Sequence, residues 1–274
     1  MNPPKMNTCP KCRALLDPAD KVCEYCGTSV KHLTAPSETV DLRRAMGIFT
    51  WILTVNFLMF MLAIALDRHQ KEEGALSPSS QVLLAFGSNS ATKVLEDGQY
   101  WRLVSSGFLH WDLLHLLMNS ACLFILGSQA AHAFGANRAW VIYACALLTG
   151  GAFSLISGGN SAGASGAVCG LIAALYQYGR HRGGDLGRVI AQRMLTWAML
   201  IAVVGALAPN IDNWGHAGGF LGGYLVGGYA SRLAARGGTE DRIWWMSGVF
   251  CLLVVGVSLC FASYSAVLYT GRLG

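Results

Sequence analysis

The sequence predicts an all-α polytopic membrane protein, and three observations lead there. Hydrophobic residues make up 53% of the 274 positions and charged ones only 13%, too few to solvate the surface of an ordinary globular domain. Seven apolar runs of helical length follow one another along the chain. Ahead of them stands a polar segment carrying four cysteines at metal-site spacing, a unit of a different kind from the apolar runs. The formal net charge of +5 comes from Lys and Arg spread through short connections with no dense basic run, so it reports topology and implies no nucleic-acid partner.

The first unit, residues 1–30, reads as a zinc ribbon. Cys9-x-x-Cys12 and Cys23-x-x-Cys26 stand ten residues apart, and two such knuckles bring four thiolates onto one tetrahedral Zn²⁺. A segment this short buries too little apolar area to fold without a metal. With four cysteines no ligand position is left open, so the zinc is expected to be structural and the ribbon to hold a shape or bind a cytosolic partner. A disulfide framework is the competing reading, and it needs an oxidising compartment. No charged, apolar and small-residue order of a signal peptide precedes the ribbon, so no cleavage is expected at this end.

Residues 31–44 form a polar linker that ends in Arg43-Arg44, and the first spanning helix is expected over 45–66. Residues 67–108 are too polar to span and read as a long structured loop at one membrane face. The remaining helices are expected over 113–134, 139–156, 165–178, 189–207, 215–233 and 244–268. The run at 165–178 is short for a span, which suits a helix enclosed by others with a polar hollow above its end.

Lys and Arg orient the bundle. With the N-terminus in the cytosol, the inner side collects Arg43, Arg44, Arg138, Arg180, Arg182, Arg188, Arg193, Arg232, Arg236 and Arg242. The outer side keeps Arg68, Lys71, Lys93, Arg102 and Arg272. The chain is therefore expected to be a multi-pass membrane protein, N-terminus cytosolic and C-terminus outside, in contact with lipid. In this orientation the runs beginning at Ser165 and near His216 both start at the outer face.

Those two residues carry the chemistry. Ser165 sits in Gly163-Ala164-Ser165-Gly166, and a serine hydroxyl becomes a nucleophile when a base lies within hydrogen-bond reach. His216, in Trp214-Gly215-His216-Ala217-Gly218-Gly219, is the base candidate, because an ionisable side chain inside an apolar segment is costly and marks function. Gly215, Gly219, Gly223 and Gly227 recur every four residues, as do Gly166 and Gly170, so the two helices can approach closely. Plain helix association explains the same glycines and serine, and both readings stand together. His115 and Asn119, four residues apart, share one helix face and, with the Ser165 N–H, supply donors of the kind an oxyanion requires. Interhelical hydrogen bonding is the alternative for that pair. Cys122, Cys145, Cys251 and Cys260 are expected to be buried as small apolar residues.

From Trp101 to Leu233 the chain resembles the rhomboid intramembrane serine proteases. The resemblance rests on Trp101-Arg102, on His110 with His115-x-x-x-Asn119, on Gly163-x-Ser165-Gly166 and on His216-x-x-Gly219, in that order along the chain. It implies a rhomboid-like bundle of six core transmembrane helices, here followed by a seventh, making 45–274 the protease domain. It further implies Ser165 as nucleophile, His216 as general base and acid, His115 and Asn119 as oxyanion or water-site groups, and His110 as a structural histidine. Substrates would be membrane proteins cut in or near transmembrane segments, with a small side chain beside the cut and no cofactor for catalysis, in a bacterial-type cytoplasmic membrane. The dyad of the family needs no carboxylate, in keeping with the lack of an obvious buried acid beside His216. Two positions depart from the family pattern: Cys169 stands where a tyrosine packs under the histidine ring in some members, and Ala131 where a glutamate is frequent. A non-proteolytic rhomboid-like client-binding protein is the alternative, and such proteins typically lack the serine or the histidine. A transporter is disfavoured by the absence of a repeated half or a charged midplane path.

Overall fold

The computed structural model describes residues 7–9, 11–12, 14–16, 22–29, 42–67, 76–158, 160–208, 211–233 and 239–271. The linker before 42, and Arg68, Lys71, Arg236 and Arg272 of the orientation argument, lie outside the described residues. In chain order the elements are β1 (Asn7–Thr8), β2 (Leu15–Leu16), α1 (Leu42–Leu66), α2 (Ser80–Ala85), β3 (Asn89–Ser90), α3 (Ala91–Leu95), α4 (Arg102–Ser105) and α5 (Leu113–Phe134). They continue with α6 (Ala136–Ser154), β4 (Asn160–Ser161), α7 (Ser165–Arg182), α8 (Gly184–Leu207), α9 (Asn213–Leu233) and α10 (Thr239–Gly271). All seven expected helices are present. α1 and α10 begin earlier than the apolar runs do, because a helix continues past the hydrocarbon edge into polar surroundings.

Among the described residues, five segments are long and apolar enough to cross a membrane: Gly47–Leu66, Leu113–Phe134, Ala136–Ser157, Gly184–Leu207 and Arg242–Tyr269. α7 and α9 are the other two long helices, and both are rich in glycine and small residues. Their surroundings explain the difference. Residues 167–175 of α7 are buried without a break, so protein rather than lipid contacts this helix all round. α9 lies directly on α7: a Cβ at Gly219 would overlap the Gly166 carbonyl, one at Gly223 the Gly170 carbonyl, and one at Gly227 the Ala174 side chain. The four-residue glycine repeat thus brings two backbones into contact along their length.

Around this pair, Phe49 and Ile52 of α1, Leu123 and Leu126 of α5, and Ile142 and Tyr143 of α6 close a core with Leu171 and Ile172 of α7. α10 packs on the α6 side, where the Trp140 Nε1–H donates to the Gly248 carbonyl at 3.0 Å, and Phe261 stacks on Trp101 at 6.3 Å. Cys122, Cys145 and Cys251 are half-buried in the bundle, whereas Cys260, expected inside, is exposed. Its neighbours Leu252, Leu253, Val257 and Tyr264 on α10 are exposed too, so this is the helix face turned away from the core.

Between α1 and α5, residues 76–112 are held by buried side-chain hydrogen bonds. Arg102 is buried, and its guanidinium donates to the Leu84 and Ser88 carbonyls at 2.7 and 3.0 Å and from Nε to Gln99 Oε1. It also stacks over the Trp101 ring at 4.7 Å. Burial brings its pKa down to about 10, against the pull of Asp97, so it keeps its charge at neutral pH. From this braced loop β3 pairs antiparallel with β4, Asn89 opposite Ser161 and Ser90 opposite Asn160. β4 precedes Ser165 by four residues, so the loop holds the approach to the serine.

Candidate active site

Ser165 is the first residue of α7, and the chain reaches it through Gly163. The Gly163 N–H donates to the Ser106 carbonyl at 3.0 Å, and Gly163 takes a φ of +142° that side chains disfavour. There is no room for one either: a Cβ there would lie 2.8 Å from His115 Cε1 and 3.6 Å from Asn119 Nδ2. His115 and Asn119, one turn apart on α5, therefore converge on the backbone two residues before the serine. Asn119 is buried, and its Nδ2 has no hydrogen-bond partner among the described residues, which leaves a donor free beside Gly163.

His216 enters from α9, and its Nε2 lies 2.8 Å from Ser165 Oγ. The other ring nitrogen, Nδ1, is buried without a partner among the described residues. Close approach of the backbones makes the contact possible, since ideal Cβ atoms on Gly150 and Gly166 would stand 3.0 and 3.1 Å from the Gly215 carbonyl. A small cavity of about 30 Å³ opens at this point, lined by Ser165, His216, Gly163, Asn89, Ser154 and Asp212 among others. Its lining is largely polar, so it can take a water or a small group.

His110 lies just outside α5, fully buried, with its ring edge-on to His115 at a centroid distance of 5.2 Å and neither nitrogen hydrogen-bonded among the described residues. Burial and the neighbouring His115 hold its pKa down at about 3, so it stays neutral. Cys169, one turn after Ser165, is buried in the same helix. Ala131 is buried as well, and its carbonyl accepts from Gly135 N–H at 2.9 Å, closing α5 with a glycine at φ +84°. The helix end is thus closed by backbone at the position where the family pattern frequently has a glutamate.

Sequence reasoning missed Asn89, Ser106, Ser154, Ser161 and Asp212 as neighbours of the serine, because they come from loops or helix ends with no periodic pattern. Asp212 carried a readable signal. An Asp three residues before Gly215 at the head of an apolar run is a helix-capping position, and the carboxylate does accept the Gly215 N–H at 2.8 Å. An acid is therefore present in the cavity that holds His216.

At the N-terminus the four expected cysteines come together. Cys9 and Cys26 Sγ are 3.5 Å apart, Cys12 and Cys23 Sγ 3.4 Å, and all four sulfurs lie within 4.8 Å of one another. Tetrahedral thiolate ligands on one zinc would be separated by about 3.8 Å, given a Zn–S length of roughly 2.3 Å, so the donor set fits such an ion. Among the described residues, Cys9 and Cys23 are buried together with Ala14 and Leu16 in one small core. Tyr25, between Cys23 and Cys26, packs against Gly184, where an added Cβ would lie 2.9 Å from its ring. The four sulfurs can bind a metal ion, and through Tyr25 the cluster meets the bundle at the end of α7 farthest from Ser165.

These features agree with relatedness along the chain. A family model described as "Rhomboid domain" matches residues 97–233. Rhomboid protease GluP of Bacillus subtilis (strain 168) is 31% identical over 192 residues, 69% of this chain and 36% of that protein. RHOMBOID-like protein 2 of Arabidopsis thaliana is 34% identical over 161 residues, 57% of this chain and 50% of that protein. Rhomboid protease GlpG of Yersinia pestis (strain Pestoides F) is 32% identical over 142 residues, 50% of this chain and 51% of that protein. The chain thus spans between about a third and about half of the length of these relatives. Because the matched segment runs from the braced first loop through Ser165 to the last residue of α9, covers half of the chain and includes helices able to cross a bilayer, this integral membrane protein belongs to the rhomboid family.

Proposed function

We propose that the chain is a rhomboid-type serine endopeptidase that hydrolyses peptide bonds in or near transmembrane segments of membrane proteins. The observation that carries this reading is the 2.8 Å separation of His216 Nε2 from Ser165 Oγ beside a small polar cavity. Ser165 Oγ adds to the scissile carbonyl while its proton passes to His216 Nε2. The negative oxygen of the tetrahedral intermediate is met by Asn119 Nδ2, His115 and the Ser165 N–H at the first turn of α7, where the helix dipole is positive. His216 then gives its proton to the leaving amine, and an acyl-enzyme remains on Ser165. Water, deprotonated by His216, releases the acid and restores the hydroxyl. A substrate helix must unwind locally before its carbonyl can be reached, and a small residue beside the cut suits a cavity of about 30 Å³.

Residues 1–30 act as a zinc ribbon, 31–44 as a linker and 45–274 as the protease domain, with the N-terminus cytosolic and the C-terminus outside. Cys9, Cys12, Cys23 and Cys26 hold the Zn²⁺, which supplies structure and takes no part in hydrolysis. The ribbon is available to a cytosolic partner. The test is cleavage of a model transmembrane substrate by purified protein: wild type cuts, while Ser165→Ala and His216→Ala, inserted and folded, do not. Substantial cleavage by either variant would overturn the dyad.

A further inference from the structure

Asp212 occupies a position that the two-residue dyad leaves unexplained. It stands immediately before α9, whose fourth residue is His216, and it does three things there. Its Oδ1 accepts the Gly215 N–H at 2.8 Å, its backbone carbonyl accepts the His216 N–H at 3.0 Å, and the residue lines the cavity that holds Ser165 and His216. Gly215 is tied to this arrangement, because a Cβ there would run into the Asp212 carboxylate. The ordinary role of an Asp at this place is to cap the helix. A neutral Ser or Asn caps equally well, so capping alone does not call for a charge.

His216 is where a charge matters. In the acylation step the imidazole becomes an imidazolium whose Nδ1 is buried and lacks any hydrogen-bond partner among the described residues. A cation forming there needs a counter-charge. The titratable or charged groups that act on His216 are Asp212, on the turn entering its own helix, and His115, facing it from α5. From α6 and α7 the cavity is lined by Leu147, Ser154, Ser165 and glycines, and no other residue lining it is titratable. His115 can only oppose a positive His216. Asp212 is therefore the one negative group lining the cavity among the described residues, and its carboxylate is held in place by the helix N-terminus it caps.

We infer that Asp212 is a positioning residue of the proposed proton transfer: it fixes the first turn of α9, and its negative charge stabilises the imidazolium of His216 as Ser165 gives up its proton. The inference rests on the Ser165–His216 reading. In balance, the proton moves from Ser165 Oγ to His216 Nε2 and onward to the leaving amine, and Asp212 gains and loses nothing. It acts through space.

The test separates charge from cap. Asp212→Asn and Asp212→Ser keep a capping group and remove the charge, so both should fold and insert as wild type does. Their pH profiles of kcat/KM for a model transmembrane substrate should then change, as should those for covalent labelling of the serine by a fluorophosphonate. Without the carboxylate His216 becomes a weaker base, so the acid limb moves to lower pH by about one unit and the plateau falls by about 3–30-fold. A purely structural role lowers the folded amount and leaves the limb where it was. Superposition of both variants on the wild-type profile would overturn the inference, and so would failure of both to fold, which would assign the carboxylate to the turn alone. Ser165→Ala and His216→Ala run alongside: if either still cleaves, the dyad itself falls and the role of Asp212 with it. Intact dyad controls with unmoved Asn and Ser profiles would reject Asp212 only.

Discussion

Gly219 of α9 lies so close to Gly166 of α7 that a methyl group on Gly219 would overlap the Gly166 carbonyl. This contact is one turn from His216 and one residue from Ser165, so the distance between the two helices and the distance between the two side chains are set together. Gly219→Ala should force the helices apart, lowering stability by about 1–3 kcal/mol. Cleavage should fall by about 100-fold or more, since a displacement of about 1 Å in a reacting pair costs that much. Gly256→Ala on α10, where nothing lies within 4 Å of an added Cβ, should change neither. Unfolding curves in detergent and cleavage rates check both, and an unaffected Gly219→Ala would show that the dyad distance is set elsewhere.

Asn119 offers a buried amide beside Gly163, without a partner among the described residues. Its replacement by Ala should lower the cleavage rate by about 10–1000-fold, because one donor among several is lost from the oxyanion. Most of the loss should appear in kcat, since the interaction forms as the negative oxygen forms. A loss as complete as that of Ser165→Ala in a folded protein would mean that the amide does something other than donate to the oxyanion.

His110 predicts a dependence of stability on pH. Its folded value, about 3, lies well below the 6.5 of an exposed histidine, so between those values the unfolded chain binds a proton that the folded chain refuses. The stabilisation is complete above about pH 6.5 and is lost progressively as pH falls toward 3, at up to about 1.4 kcal/mol per pH unit. Thermal unfolding measured from pH 7.5 to about 5 should show a steeper acid loss in wild type than in His110→Asn, which has nothing to titrate there. Equal slopes would mean that His110 is protonated in the fold.

The cysteine cluster and the dyad sit at opposite ends of α7, about 26 Å apart at 1.5 Å per residue over the length of that helix. Purified protein should contain one zinc per chain, and Cys12→Ser should lose it. Chelation should unfold the ribbon and free Tyr25 from Gly184, seen as a change in tyrosine or tryptophan emission, while the basal rate on a model substrate is unchanged. A truncated protein beginning at Ser37 should cleave at the full-length rate. Complete loss of activity in that truncated protein, stably folded, would show that the ribbon is coupled to catalysis.

Helix number and place are legible in the residue order, because they depend on the length of the apolar runs, which local hydropathy alone decides, and all seven expected helices are found. Cys-x-x-Cys, repeated after ten intervening residues, announced a four-sulfur cluster, and the four sulfurs do lie close enough together to bind a metal ion. Glycine at every fourth position of α9 announced a close helix contact, and it is there against α7. His216 stands out because an ionisable group in an apolar run is costly, whereas Ser165 in Gly-x-Ser-Gly is singled out only together with that histidine and the family pattern.

Tertiary structure alone decided what depends on distance. That His216 Nε2 comes within 2.8 Å of Ser165 Oγ, across fifty-one positions of sequence, is set by the stacking of two helices and appears in neither of them. The same is true of β3 against β4, which ties a loop before α5 to the approach of Ser165, and of the polar cavity wall built from Asn89, Ser154 and Asp212. Short loop strands and helix ends have no period to detect, so their partners become known only when the chain has folded. Cys260 shows the same limit from the other side: an apolar position on a membrane helix looks alike whether it faces protein or lipid, and only packing tells which. Local chemistry selects the elements and the reactive groups, whereas their meeting is a property of the packed bundle, because hydrogen bonds and close backbone contacts act over a few ångströms that sequence separation does not measure.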